Sequence, residues 1–225
     1  MFNLILRIIL ATCAILLMAL MTSISSKAQE CDALSAAYGN IETETIRQVY
    51  EHPSSRLQYL HALYRLYPLT EDKQLLDDIP SDLGSDAPAG EMALLSALWT
   101  WRGSRASLFR KLPMIMKGVR MLDRARQVDS EDPLVQLVYG QSLIFKPKIA
   151  GGDFRKALTA MRYLRQQLEV NPTCEVSIPE VDSWIYYCLH LLNDPEEDRF
   201  KQTYLQSNPP RLFRGFVLSP EKARE

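Results

Sequence analysis

Residues 134–172 read LVQLVYGQSLIFKPKIAGGDFRKALTAMRYLRQQLEVNP, and this stretch decides the fold class. Apolar residues recur at helical spacing in Leu134–Phe145 and again in Asp153–Val170. Gly152-Asp153 lies between the two segments and makes the turn. The pattern predicts two amphipathic helices that fold back on each other as a helical hairpin.

The same periodicity runs through most of the chain on either side of this hairpin. It predicts a hairpin before it, in which Glu91–Arg102 pairs with a helix over about 111–128, and one after it, in which Glu180–Leu192 pairs with Glu196–Gln206. No sustained alternation rich in Val, Ile and Thr occurs, and the chain has no Asn-Gly or Asp-Gly turn. We therefore expect an all-α protein.

Small residues mark the points where the predicted helices cross. In the middle hairpin Gly140 lies seven residues into the first helix, Ala157 follows the turn, and Pro172 closes the unit. This arrangement resembles the tetratricopeptide repeat, and Gly118 and Ala125 of the preceding hairpin fit the second half of that repeat. The resemblance implies an α-α superhelix, a solenoid of stacked hairpins in which each hairpin covers the apolar face of its neighbour.

The spacing departs from that family, whose period is about 34 residues. Ser96, Gly140 and Cys188 are the plausible equivalents on the first helices, and they are 44 and 48 residues apart, because 140 − 96 = 44 and 188 − 140 = 48. The extra residues fall at Gly103–Leu112 and Lys146–Gly151. The resemblance covers roughly residues 90 to 209, and an irregular α-helical bundle is the alternative.

The N-terminus has the three parts of a secretory signal peptide. Arg7 precedes the apolar run Ile8–Met21, and Ser26-Lys27-Ala28 offers small residues at both positions that a signal peptidase reads. The run has 14 residues, whereas a membrane span needs about 20. We expect cleavage after residue 28 and location in the periplasm or outside the cell. An uncleaved inner-membrane anchor, with the protein facing the periplasm, is the alternative.

Composition shifts divide the rest of the chain. Residues 29–80 are predicted to be a helical segment, either a cap or a degenerate repeat, and residues 81–90 a linker rich in Gly, Pro, Ser and Asp. The helical repeats follow over 91–209, and an irregular tail over 210–225 completes the chain.

Three cysteines remain after signal-peptide cleavage: Cys31, Cys174 and Cys188. In an oxidising compartment one disulfide and one leftover thiol are the only pairing that this number allows. Cys174 and Cys188 are close in sequence and are our first choice for the disulfide. Three free or buried thiols are the alternative.

No pattern for catalysis or for cofactor binding stands out. The chain has three histidines and lacks Cys-x-x-Cys, His-Glu-x-x-His and Gly-x-Ser-x-Gly motifs. Gly151-Gly152-Asp153 precedes a helix but lacks the spacing and the Lys-Ser/Thr of a phosphate loop. The net charge of -1 gives no reason to expect nucleic-acid binding. We expect a protein that is not an enzyme and that has no metal and no cofactor.

Charge is distributed unevenly along the chain. Residues 102–126 carry eight basic residues and one acid, a net of +7, and residues 71–91 carry seven acids and one lysine, a net of -6. Lys117, Arg120 and Arg124 share one helical face because they are three and four residues apart. This face could bind an anionic partner, such as an acidic protein segment or lipid head groups. Alternatively, the acidic and basic segments complement each other within the molecule.

Aromatic residues concentrate on the first helices of the predicted hairpins. In stacked hairpins the first helices line the concave surface, so some of these residues could form a peptide-binding groove. We take Gln141, Phe145 and Tyr187 as candidates for that groove. Packing in the core is the alternative for most of the aromatic residues.

These features together favour an exported, non-enzymatic scaffold or adaptor that binds a protein or peptide partner of the cell envelope. The alternative is a periplasmic accessory protein of a transporter, which would enclose a small ligand between its helices. A cell-wall enzyme is a third class, since paired carboxylates occur at Asp77-Asp78, Glu131-Asp132 and Glu196-Glu197. The sequence leaves the oligomeric state open, and membrane contact is expected only if the signal segment is retained.

Overall fold

The structure is a computed structural model that describes residues 34–221. Within this range the regular structure is helical and contains no strand. Residues 34–40 are helical, and the helices that follow are α1 (Thr43–Glu51), α2 (Arg56–Thr70), α3 (Ala89–Arg105), α4 (Leu108–Val128), α5 (Pro133–Phe145), α6 (Phe154–Val170), α7 (Ile178–Leu192), α8 (Glu197–Gln206) and α9 (Arg211–Leu218). Short 3-10 turns occupy Lys73–Leu76 and Lys148–Ala150. The predicted all-α class, built from helical hairpins, is confirmed. The predicted signal peptide lies outside the described residues.

Short polar side chains fix the start of four helices. Ser55, Asp132, Asp153 and Ser177 each accept a hydrogen bond from a backbone amide in the first turn of α2, α5, α6 and α7, respectively. Such a cap satisfies an amide that has no partner inside the helix and stabilises the helix by about 1 kcal/mol. These caps explain why the helix starts follow the local sequence closely.

The predicted small residues allow the paired helices to approach. A Cβ atom at Gly118 of α4 would lie 2.6 Å from the Ser96 carbonyl oxygen and 2.5 Å from Thr100 Oγ1 of α3. A Cβ atom at Gly140 of α5 would lie 2.5 Å from Met161 Cε of α6. The backbone contact at Gly118 leaves no room for a larger residue, whereas at Gly140 the flexible end of Met161 would have to move. Gly118 therefore sets the separation of α3 and α4.

The extra residues of the first hairpin lengthen its helices instead of forming a loop. We expected α4 to begin near residue 111, but it begins at Leu108, and α3 continues to Arg105. Gly103 allows the longer helices to stay in contact, because its missing side chain makes room for Met114 and Ile115. Pro113 therefore lies inside α4, where it deprives the carbonyl of the residue four positions earlier of its helical hydrogen bond.

Helix α2 is surrounded by protein on all sides. Its residues 60–67 are all buried, including His61 and Arg65. It runs parallel to α3, because Arg56 at its start binds Glu91 and Tyr67 near its end stacks on Trp101. It also contacts α5 through Tyr64 and α7 through Arg65. The helix thus covers the surface that α3, α5 and α7 share.

Residues 81–90, predicted to be a linker, are packed against the first hairpin. Leu83 and Ala87 are buried, Arg124 donates a hydrogen bond to the Ser85 carbonyl at 2.8 Å, and α3 already begins at Ala89. Residues 81–88 thus connect the two helical segments without regular structure, and they are packed because Leu83 and Ala87 are apolar side chains that need burial.

The prediction of an irregular C-terminal tail was wrong for residues 211–218, which form α9. Phe213 and Val217 lie four residues apart on its buried face. Phe216 packs against Trp184 of α7, with ring centroids 4.9 Å apart, and Phe213 packs against Tyr38 at 5.8 Å. Burial of this apolar face therefore stabilises a helix directly after Pro209 and Pro210. Among the described helices, none is long and apolar enough to cross a membrane.

Candidate interaction surfaces

The three residues predicted to line a groove have different surroundings in the structure. Of the three groove candidates, Gln141 accepts a hydrogen bond from Tyr64 of α2 at 2.5 Å. Tyr187 is only 1% exposed and lies beneath Phe216, with ring centroids 5.1 Å apart. Phe145 is 54% exposed and contacts the edge of Trp184. The prediction that Tyr187 lines an open groove was wrong, because the residue is buried. Gln141 is half-buried with its amide oxygen bonded to Tyr64, and Phe145 is exposed.

Aromatic side chains of α2 and α3 stack on each other. The Trp101 ring stacks on Tyr64 at 5.1 Å and on Tyr67 at 5.3 Å between centroids. Burial raises the pKa of Tyr64, so its hydroxyl stays protonated and donates to Gln141. Trp101 is therefore half-buried and packs against the core.

A buried polar network joins α2 to α7, and the sequence analysis did not predict it. Both terminal nitrogens of Arg65 donate to the carboxylate of Glu180, and Nη2 also donates to the Glu175 carbonyl at 2.8 Å. Its Nε donates to His61 Nε2 at 3.0 Å, and the guanidinium lies 4.5 Å from the Tyr38 ring centroid. The sequence signal was an arginine within an apolar run, YLHALYRLYPL at residues 59–69.

Burial and the positive charge of Arg65 lower the pKa of His61 well below its ordinary value, so His61 is neutral and accepts the hydrogen bond. Burial also lowers the pKa of Arg65, but Glu180 outweighs this and raises it overall. The pair is therefore charged, and its charges are used within the molecule rather than offered to a ligand.

The three basic candidates do come together on one surface. Lys117, Arg120 and Arg124 of α4 line an open cleft of about 290 Å³. The opposite wall is the loop 81–84, and Met92 and Met121 add apolar surface. We call this the basic cleft.

Two of these cations are already held in place. Lys117 Nζ lies 3.8 Å from the centroid of the Trp99 ring, and Trp99 Nε1 donates to the Pro80 carbonyl. Arg124 donates to the Ser85 carbonyl at 2.8 Å. Their side chains therefore lose little conformational freedom if a ligand binds.

Three of the seven carboxylates of the acidic segment pair with arginines outside the basic cleft. Asp77 and Glu71 lie 3.6 Å from Arg102 and Arg105, respectively, and Glu91 lies 2.5 Å from Arg56. The alternative of internal charge complementarity therefore describes this part of the segment well.

Asp82 is the carboxylate at the basic cleft. Hydrogen bonds from the amides of Leu83 and Gly84 hold its pKa below the ordinary value, and the charges of Arg124 and Lys117 add to this. Across residues 34–221, no carboxylate oxygen lies within 4.0 Å of a basic nitrogen of the three cleft cations. The cleft thus offers three cations against one carboxylate.

The predicted disulfide between Cys174 and Cys188 is absent, and both thiols are free. Cys188 lies ten residues into α7, about 15 Å along the helix from its start. Cys174 precedes that start, where its carbonyl accepts a hydrogen bond from Ser35. A disulfide needs Cα atoms within about 7 Å, which this placement along α7 prevents.

Within the part of the chain that the structure describes, no three His, Cys, Asp or Glu side chains come together in a group that could hold a metal ion. Comparison of the sequence with models of known protein families and with curated proteins, and of the fold with solved structures, finds no match.

Proposed function

We propose that this protein is an exported, non-enzymatic adaptor, a tetratricopeptide-like superhelix whose basic cleft binds an acidic segment of a protein partner in the cell envelope. The observation that carries the proposal is the row of Lys117, Arg120 and Arg124, which has no carboxylate in ion-pair distance among the described residues. Export is proposed on the signal-like sequence of residues 1–28.

The dimensions of the cleft suit a short peptide. Lys117 and Arg124 are seven residues apart, so the row extends about 10 Å along α4. An extended segment covers that distance with about three residues. The half-buried Met121 can bind an apolar side chain between two acidic ones, since methionine adapts to the shape of its partner.

The cleft is open at the surface, and this favours a peptide over the enclosed small ligand of the transporter alternative. A peptide can enter from solvent with the cations already oriented by Trp99 and Ser85. Charge complementarity of this kind gives a fast, salt-dependent association and a specific register.

Site-specific photo-crosslinking in intact cells tests the proposal. A crosslinking residue at position 120 should capture one discrete acidic protein, and the same residue at position 155, on the exposed side of α6, should not. The triple variant Lys117→Glu/Arg120→Glu/Arg124→Glu should weaken binding of the purified partner at least tenfold, since close charge pairs contribute about 1.5 kcal/mol or more each. Replacing acidic residues of the partner with lysine should restore binding to this triple variant.

The matched control is Arg155→Glu/Lys156→Glu/Arg199→Glu, which makes the same change in charge at exposed positions outside the cleft. It should bind the partner like the unaltered protein. Equal weakening by both triple variants, or a partner without an acidic segment, contradicts the proposal.

A further inference from the structure

Four apolar side chains project into solvent near the turns of two consecutive hairpins. Leu108, Phe109 and Leu112 at the start of α4 are 81%, 92% and 66% exposed, and Ile149 in the turn after α5 is 99% exposed. We call these four residues the apolar tip. They lie outside the basic cleft, which begins more than two helical turns after Leu108.

The two turns lie at the same end of the helices. Helices α3 and α5 are parallel neighbours, because Gly90 at the start of α3 packs against Asp132 and Leu134 at the start of α5. Their C-terminal ends therefore point the same way, and neighbouring helices are about 8 to 10 Å apart. The turn before Leu108 and the turn that contains Ile149 consequently project from one end of the molecule.

Cations surround the apolar tip. Arg110 and Lys111 flank the apolar side chains of α4, and Lys146 and Lys148 flank the turn of Ile149. Within residues 34–221, none of these four has a carboxylate oxygen within 4.0 Å. The nearest acidic segment, over residues 71–77, instead pairs with arginines of α3.

We infer that this end of the molecule binds the surface of an anionic lipid bilayer, with the apolar tip at the boundary of head groups and acyl chains and the four cations at the phosphates. Apolar side chains next to Lys and Arg are the combination that peripheral membrane binding uses. Protein interfaces are instead depleted of lysine, and three of these four cations are lysines. This inference does not depend on the basic cleft.

The adjoining hairpin limits the lipid-binding surface. Its turn, residues 193–196, holds Asp194 and Glu196 and exposes no large apolar side chain. Anionic lipids repel such a turn, so the bilayer contact is confined to the ends of the first two hairpins.

Flotation with lipid vesicles tests the inference on the full-length chain. The protein should float with vesicles of equal parts phosphatidylglycerol and phosphatidylcholine. The variant Leu108→Ser/Phe109→Ser/Ile149→Ser should partition at least about tenfold more weakly, given the apolar area removed. Lys146→Glu/Lys148→Glu should lose about fivefold per residue on these vesicles and little on pure phosphatidylcholine. The control Val128→Ser/Val170→Ser removes exposed apolar residues at the opposite ends of α4 and α6 and should partition normally.

The position of contact is read by fluorescence, which separates the tip from the apolar segment Ile8–Met21. A tryptophan introduced by Ile149→Trp should be quenched by brominated lipid, whereas one introduced by Val170→Trp should not. Equal flotation of the tip variant and the unaltered chain, or equal quenching at both positions, overturns the inference. The inference is also overturned if the variant Leu108→Ser/Phe109→Ser/Ile149→Ser loses protein crosslinks but still binds vesicles. That result would assign the apolar tip to a protein partner.

Discussion

The guanidinium of Arg65 in α2 and the carboxylate of Glu180 in α7 form a buried ion pair between residues 115 positions apart in the chain. Their side chains are 1% and 3% exposed. A buried charge is tolerated only with a partner, because loss of hydration costs several kcal/mol per ion. The pair therefore ties the position of α2 to that of α7.

Removing one member of this pair should strongly destabilise the fold. Glu180→Ala leaves Arg65 charged, buried and without its main acceptor, and we expect the free energy of unfolding to fall by about 3 to 5 kcal/mol. Urea unfolding followed by circular dichroism measures the change. Glu196→Ala, which breaks the half-exposed pair with Arg162, is the control and should cost less than about 1 kcal/mol. Similar costs for the two variants would show that Arg65 does not depend on Glu180.

His61 should make stability depend on pH. Burial and the charge of Arg65 lower the pKa of His61 in the folded state well below 6.5. The unfolded chain therefore binds a proton below pH 6.5 that the folded chain does not, and stability decreases as the pH falls, by at most about 1.4 kcal/mol per pH unit. Above that pH the contribution is constant.

The variant His61→Gln removes the titrating group, so its stability should vary less with pH below pH 6.5. Urea unfolding at a series of pH values measures the slope for each protein. The exposed His52 provides the control, and His52→Gln should keep the slope of the unaltered chain. The prediction fails if His61→Gln and His52→Gln have the same slope.

Three glycines should respond differently to the same added methyl group. Gly118→Ala places Cβ against the Ser96 carbonyl, which is backbone and cannot move aside, and should cost about 1 to 3 kcal/mol. Gly140→Ala meets only the flexible end of Met161 and should cost less. Gly215→Ala meets nothing within 4 Å and should stabilise α9 by about 0.4 to 1 kcal/mol. Thermal unfolding of the three variants gives the order, and any other order would refute the role given to Gly118.

Cys188 should resist chemical modification in the folded protein. Burial raises the pKa of its thiol to about 12, so almost no reactive thiolate exists near neutral pH. Alkylation followed by peptide mass spectrometry should find the half-buried Cys174 modified well before Cys188. In urea both should react alike. A peptide in which Cys174 and Cys188 are linked would contradict the structure.

Sequence periodicity predicts the helices well because each helix is determined by its own residues. The segments containing α5, α6 and α7 were predicted to within about two residues at each end, a margin usual for helix ends, since Asp132, Asp153 and Ser177 cap them locally. The close approach at Gly118 was also predictable, because only a small residue fits at a helix crossing. An irregular tail was predicted after Pro209-Pro210, although the four-residue spacing of Phe213 and Val217 indicates a helix.

The position of α2 could not be predicted from local pattern. The run of buried residues 60–67 has no polar face, which indicates burial on all sides but does not name the neighbours. Those neighbours are Trp101, Gln141 and Glu180, which lie between about 35 and 115 residues away in the chain. For the same reason the sequence could place Gln141 on a helix of the middle hairpin but could not show that Tyr64 of α2 binds its amide oxygen.

Helix α2 also determines how the chain must reach its folded state. In a solenoid whose units contact only their neighbours, folding can begin anywhere and spread. Here Tyr64 and Arg65 make their contacts with α5 and α7, so long loops must close before these contacts can form. We therefore expect folding to be slower and more cooperative. During synthesis α2 leaves the ribosome more than 100 residues before Glu180, and Arg65 stays without its ion-pair partner until Glu180 has also been made.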